Sequence, residues 1–338
     1  MKLGKKAKVS FITVVTAFSF LIGGSVVPAK TDNTKGKEWV DLNNDGMVDK
    51  ERLTPEERKK SDKRTADIDA YIEKMASKKA KIRAQKKQLK ENKKDKSLTK
   101  DISKLEAELK SLEKNMEKDI GLVEAAEVPI KSKTSLPSKT SLMTTKNYTT
   151  LASTSADVDL KGKIYKDAWN KGRWVVESEW EWRNSDWQSD RKGTGNVGKL
   201  DGFGLIVDED IDIYSHKINT YWSYDGSKST PGTIYNDKSE DDNGWGWKWQ
   251  DRIRWDQTKT GGSVKTYSGD YGIATMSVKF ENKKTAVGST VEATARYGHT
   301  YNETTISDVT FSNSGIGFTY NKSSGRWSDT ENWPIKLK

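Results

Sequence analysis

The sequence predicts a multi-domain chain, an α-helical coiled-coil hairpin followed by an all-β antiparallel sandwich. Three observations carry this. Apolar residues recur in steps of 4 and 3 from Leu98 through Ile102, Leu105, Leu109 and Leu112 to Met116, the seam of packed helices. From residue 156 onward, apolar and polar residues alternate in runs broken by Gly, Asn and Asp, the pattern of short antiparallel strands. Charge and tryptophan divide between the two regions. Residues 1–150 hold 34 Lys+Arg against 22 Asp+Glu, and the remainder holds 25 against 27. Of 13 tryptophans, only Trp39 precedes residue 169.

Composition sets the outer limits. At 33% apolar and 32% charged residues, the 338-residue chain is too polar to be packed core throughout. It has no cysteine, which excludes disulfides, thiol nucleophiles and cysteine-ligated zinc. With only two histidines, His216 and His299, a histidine-rich metal centre is excluded as well.

Residues 1–29 read as a signal peptide. Lys2, Lys5, Lys6 and Lys8 precede an apolar run from Val9 to Ile22, and Val27-Pro28-Ala29 offers a cleavage site. The run is shorter than the roughly 20 residues that a spanning helix needs. The expected location is secreted or extracellular, with association to a cell wall.

Residues 30–53 contain Asp41-Leu-Asn43-Asn-Asp45-Gly46-Met47-Val48-Asp49. This stretch resembles an EF-hand or dockerin calcium loop. Asp41, Asn43 and Asp45 alternate so that their oxygens meet one ion, Met47 offers its carbonyl, and Asp49 acts through water. The last loop position holds Arg52 where the family has an acidic ligand, so Glu51 stands in for it. The resemblance covers about 12 residues in one copy and implies weak Ca2+ binding at extracellular concentrations.

Residues 54–124 form the expected hairpin. Thr54-Pro55-Glu56-Glu57 is a capping box with proline at the first helical position. Ile68, Ile72, Met75, Ile82 and Leu89 follow at helical spacing, with Lys79 interrupting the row, and Asn92–Ser97 makes a polar turn. Between Lys78 and Lys100 stand 11 basic residues against Glu91 and Asp95. That run points to an anionic polymer as partner. No aromatic residue interleaves it, so no specific nucleic-acid binding is expected. A two-helix unit buries little apolar surface, so self-association through the seam is a further expectation. Residues 125–155, rich in Ser, Thr, Lys and Pro, read as a flexible linker.

Residues 156–338 form the tryptophan-rich sandwich. Along 174–183, Trp174, Val176, Ser178, Trp180 and Trp182 share one side, and Glu177, Glu179 and Glu181 share the other. Along 245–255, Trp245, Trp247, Trp249, Ile253 and Trp255 share a side with Asp251, and Lys248, Arg252 and Arg254 oppose them. Acid facing base predicts that these segments are adjacent antiparallel strands.

Most of the indoles are expected in the core. Trp187, Trp222, Trp327 and Trp333 lie near turn signals and are the expected exposed platform for sugar rings. The functional expectation is a secreted, non-catalytic binding protein of the cell envelope that takes a cell-wall or extracellular polysaccharide. Two alternatives stand beside it. One is a membrane-acting, pore-forming-like protein using the alternating strands near 304–320. The other is a glycoside hydrolase, because Glu177-Ser-Glu179-Trp-Glu181 resembles the acidic strand of laminarinase-like glycosidases.

Overall fold

The structure, a computed structural model, describes residues 54–91, 95–127, 157–170, 172–188, 190, 192–229, 235–237, 243–258, 261–280, 289–312 and 315–337. The expected signal peptide and the calcium-like loop, with Asp41, Asn43, Asp45, Met47, Asp49 and Glu51, lie outside these residues, as does most of the expected linker.

Two helices come first, α1 (Pro55–Glu91) and α2 (Lys96–Ile120). Their ends are set by local chemistry. Thr54 Oγ1 accepts a hydrogen bond from the Glu57 amide at 3.3 Å, and the Glu57 carboxylate accepts one from the Thr54 amide at 2.9 Å. This is the reciprocal capping box that the sequence predicts. Asp95 caps α2 by accepting from the amides of Ser97 and Leu98. Gly121, at φ +63°, ends α2, and a Cβ there would lie 2.6 Å from the Trp169 ring. The helices run antiparallel: Tyr71 donates to the Leu112 carbonyl, and Lys78 and Lys86 pair with Glu108 and Glu106.

The strands follow in order: β1 (Leu122–Glu124), β2 (Ala126–Glu127), β3 (Val158–Asp167), β4 (Arg173–Trp182), β5 (Gly195–Asn196), β6 (Asp201–Val207), β7 (Ile211–Tyr221) and β8 (Tyr235–Asp237). After them come β9 (Gly244–Trp249), β10 (Arg252–Gln257), β11 (Ser263–Tyr267), β12 (Tyr271–Phe280), β13 (Thr290–Thr300), β14 (Ile306–Ser312), β15 (Gly315–Tyr320) and β16 (Arg326–Lys336). One sheet has the order β1-β3-β4-β12-β7 and a second the order β2-β16-β13-β6-β9-β8. Smaller sheets are β11-β10-β5 and the β14-β15 hairpin, and the described strands pair antiparallel. The expected linker therefore begins in ordered backbone, since β1 pairs with β3 and β2 with β16.

The two large sheets enclose the main core, to which β4 contributes Trp174, Val176, Trp180 and Trp182, and β9 contributes Trp247 and Trp249. Here the expected pairing of 174–183 with 245–255 is corrected. β4 and β9 belong to different sheets, and their indoles meet across the layer, with Trp180 stacked on Trp249 at a centroid distance of 5.3 Å. The second segment also breaks at Gln250-Asp251, where β9 leaves one sheet and β10 enters another. Gly272 on β12 faces Trp180, and a Cβ there would strike the indole, so glycine makes room for the largest side chain of the core.

The acidic side of β4 is not an outer face. It is covered by α1. Ile68, Ile72, Met75 and Ala76 of α1, with Met116 and Ile120 of α2, pack on Tyr165, Val175, Tyr271 and Ile273 of the sheet. Beside this apolar contact Lys79 pairs with Glu179 at 3.0 Å, Arg83 with Glu181 and with Asp270 at 2.8 Å, and Lys87 with Asp270 at 2.5 Å. The interruption of the apolar row at Lys79 is thus the place where the helix crosses a row of carboxylates. The anionic partner of these three basic residues is the chain's own sheet. Lys248, Arg252 and Arg254 do not serve that role: Lys248 donates to the Ser307 carbonyl, and Arg254 lies over Trp222 and pairs with Asp256.

A third core lies beneath the β14-β15 hairpin, where Ile306, Val309, Phe311, Ile316 and Phe318 cover Ile206 of the second sheet. From outside to outside the layers are helices, sheet, sheet and hairpin. The apolar surface that the isolated helices would leave open is buried on the sheet. No described helix is long and apolar enough to cross a membrane.

Candidate functional site

The four expected platform tryptophans separate. Trp187 is 2% exposed, so the expectation that it is exposed is corrected: its turn, Asp186–Gln188, folds inward and the indole stacks on Tyr267 at 5.3 Å. Trp222, Trp327 and Trp333 are half-buried. Trp222 lies under the Arg254 guanidinium, and Trp333 packs against the backbone of Gly162. Trp327 borders a cleft of about 400 Å³. Among the described residues, the large apolar side chains most open to solvent are Trp169 and Trp255, at 50% and 58%. Trp255 shares its face of β10 with Ile253, which is buried in the main core, so the exposure of Trp255 begins further along the strand than the break at Asp251.

The cleft has an aromatic floor of Trp182, Tyr301 and Trp327, with a rim of Asp157, Asp186, Asp190 and Asn302. Trp327 packs edge-on against Trp182 at 5.3 Å and faces Tyr297 at 5.6 Å, which holds its plane. The Asn184 amide donates to both Asp157 and Asp186 at 2.7 Å, which fixes two rim carboxylates. Asn302 has φ +60°, and among the described residues it is the non-glycine in the left-handed region. Asn tolerates that conformation better than most residues, and such strain is held where surrounding structure demands it.

Behind the rim lies a buried polar network that topology brings together. Asp201 opens β6, Asp251 occupies the β9–β10 break, and His299 lies near the end of β13; all three are 0% exposed. His299 Nδ1 is 3.0 Å from Asp201 Oδ2 and 4.0 Å from Asp251 Oδ2, and its Nε2 is 3.1 Å from Asp190 Oδ2 at the rim. Asp201 also accepts from the hydroxyls of Tyr267 and Tyr297 and from the Thr300 amide. Burial disfavours a charged imidazole, but Asp201 and Asp190 outweigh it and push His299 well above its ordinary range. Burial and the neighbouring Asp201 push Asp251 well up. Among the described residues, Asp201, Asp251 and His299 have the composition and closeness to hold a cation.

The acidic strand reads differently once covered. Burial raises Glu177 to about 7. Burial also opposes ionisation of Glu179, but Lys79 and the Tyr271 hydroxyl overcome it and hold that carboxyl below its usual range. Glu179 and Glu181 border a groove of about 610 Å³ between α1 and the sheet, where they meet Lys79 and Arg83.

Neither the buried network nor the cleft was assembled from the sequence. One signal was present: Asp251 falls on the tryptophan side of its strand, and a carboxylate on an aromatic face needs a buried partner.

No family model matches the chain, and no curated protein matches it. Among solved structures it is similar to the collagen-binding subdomain of the Enterococcus faecalis surface protein ACE. That match has 6% identity and a TM-score of 0.26, and covers 49% of this chain and 88% of the other. It is also similar to AvmM, which catalyses macrocyclization in alchivemycin A biosynthesis. There the identity is 11% and the TM-score 0.21, with 49% and 81% covered. Likeness at this level assigns neither a fold family nor a function.

Proposed function

We propose that this is a secreted, non-catalytic binding protein whose β sandwich takes a carbohydrate in the cleft over Trp327. The observation that carries the reading is the pairing of a fixed aromatic floor with a carboxylate and amide rim. An indole face packs against the C–H surface of a sugar ring, and Asp and Asn oxygens accept from its hydroxyls. The volume falls in the range of about 300–1,000 Å³ typical of small-molecule sites. The signal-like start of the sequence supports an extracellular setting, and a weak calcium site at residues 41–51 remains part of the proposal.

The test is retention of the full chain on insoluble cell-wall polysaccharides, followed by titration with soluble fragments. Trp327→Ala is expected to weaken binding by roughly 30-fold, the effect of a contact worth about 2 kcal/mol. Asp186→Asn should also weaken it without loss of fold. Binding unchanged by both substitutions, or no retention on any polysaccharide, would remove the cleft from the account. Leakage from anionic vesicles would favour the membrane-acting alternative, and release of reducing ends would favour the hydrolase.

A further inference from the structure

We infer that Asp201, Asp251 and His299 form a binding site for a divalent first-row transition metal, Zn2+ or Mn2+, at the base of the cleft. The site is separate from the proposed sugar platform and does not depend on it.

The donor set comes first. Two carboxylates and one imidazole converge in a fully buried pocket, with their nearest ligand atoms all within 4.8 Å of one another. Imidazole and carboxylate together suit zinc and manganese. An ion with bonds of about 2.0–2.2 Å holds neighbouring ligand atoms roughly 3–3.5 Å apart. His299 Nδ1 and Asp201 Oδ2 already stand at 3.0 Å, and Asp251 Oδ2 at 4.0 Å from Nδ1 needs only a small side-chain shift.

Two independent observations point to a ligand. The first is Asp251 Oδ2, which is buried and makes no hydrogen bond. The Tyr267 hydroxyl lies near both carboxyl groups, and its hydrogen bond of good geometry, at 3.3 Å, goes to Asp201 Oδ2. A buried carboxylate oxygen without a donor is costly, and a cation in front of it removes that cost. The second is the far side of the imidazole. His299 Nε2 lies 3.1 Å from Asp190 and Nδ1 lies 3.0 Å from Asp201, so an ion that displaces the Nδ1 proton meets a lone pair facing Asp201 and Asp251 while the N–H at Nε2 still donates to a carboxylate. A carboxylate behind a histidine is the arrangement that orients metal-bound imidazoles and raises their basicity.

The surroundings fit the same reading. Thr300 N and the hydroxyls of Tyr267 and Tyr297 engage Asp201 and fix its orientation. Trp182, edge-on to His299 at 5.1 Å, and Trp327 at 5.4 Å exclude bulk water. Three carboxyl groups surround one imidazole, a donor set that can meet a divalent ion once the protons it holds are displaced. Because the ligands come from β6, the β9–β10 break and β13, the ion would tie together the sheet that frames the cleft.

The test uses the full chain, refolded with and without Zn2+, Mn2+ or Co2+ and freed of loose metal on a desalting column. Elemental analysis should find roughly one ion per chain. The Co2+ form should show visible d–d absorption with a nitrogen ligand. His299→Gln and Asp251→Asn should lose the ion, whereas His216→Gln, the other histidine, should keep it. Melting followed by tryptophan fluorescence should shift upward with Zn2+ in the parent and His216→Gln chains only. The Co2+ spectrum of the parent chain decides even if both site variants misfold. The proposal fails if the parent chain retains none of the three metals. It fails equally if folded His299→Gln or Asp251→Asn chains retain metal as the parent does, which would place the ion elsewhere, such as at residues 41–51.

Discussion

Arg64→Ala is expected to lower unfolding stability by about 3–5 kcal/mol, the range for removing one partner of a buried ion pair. Arg64 Nε and Nη2 donate to the two oxygens of Asp167 at 3.1 and 2.8 Å, and Nη2 also reaches the Ile120 carbonyl at the end of α2. The pair is 9% and 0% exposed. One guanidinium thus ties α1 to the end of α2 and to the last residue of β3. Without it the Asp167 carboxylate is left buried and short of donors, and that cost exceeds the loss of the bonds themselves. Replacing both members, Arg64→Met with Asp167→Asn, should cost less than Arg64→Ala alone. Urea unfolding followed by helix circular dichroism and by tryptophan fluorescence measures both. A loss under about 1 kcal/mol for Arg64→Ala would show that the helices do not depend on this clamp.

Glu177→Gln should act in the opposite direction and only above mildly acidic pH. Glu177 is buried on β4 beneath α1, and its Oε2 has no hydrogen-bond partner. Its carboxyl titrates near 7 in the folded chain against an ordinary value of 4.5, with burial the main cause. The folded state therefore binds more protons than the unfolded state between those values. Stability present below about pH 4.5 is lost as pH rises through about 7, a penalty on the order of 3 kcal/mol. The amide cannot ionise. Relative to the parent, Glu177→Gln should thus gain about 2–3 kcal/mol at pH 8 and nearly nothing at pH 4. Denaturant midpoints across that range decide it, and a difference between the two proteins that does not vary with pH would refute the assignment.

Both predictions concern contacts between segments about a hundred residues apart, and this marks what was legible beforehand. The start of α1 was, because capping is chemistry over three or four residues, Thr54, Pro55 and Glu57, and the polar turn at 92–97 was too; the cap at Asp95 and the end of α2 at Gly121 came from the structure. The strand faces of β4 were legible from period-2 alternation, which correctly sets Trp180 and Trp182 apart from Glu177 and Glu179. What covers each face was not. Opposite charge on two segments is satisfied equally well by any two surfaces that meet. The glutamates of β4 found Lys79 and Arg83 on a helix rather than Arg252 and Arg254 on a strand. Trp187 was misplaced for a related reason, since a turn residue is open or closed according to what lies beneath it, and here that is Tyr267.

The amino-acid sequence by itself determined the element types, the cap at the start of α1 and the two faces of β4, because these follow from φ/ψ preference and periodicity within a few residues. Only the tertiary structure decided that basic helices lie on an acidic sheet face, and that Asp201, Asp251 and His299 share one pocket. Those choices turn on burial and charge pairing between residues far apart in the chain, where many partners satisfy the same local pattern and only packing of the whole selects one.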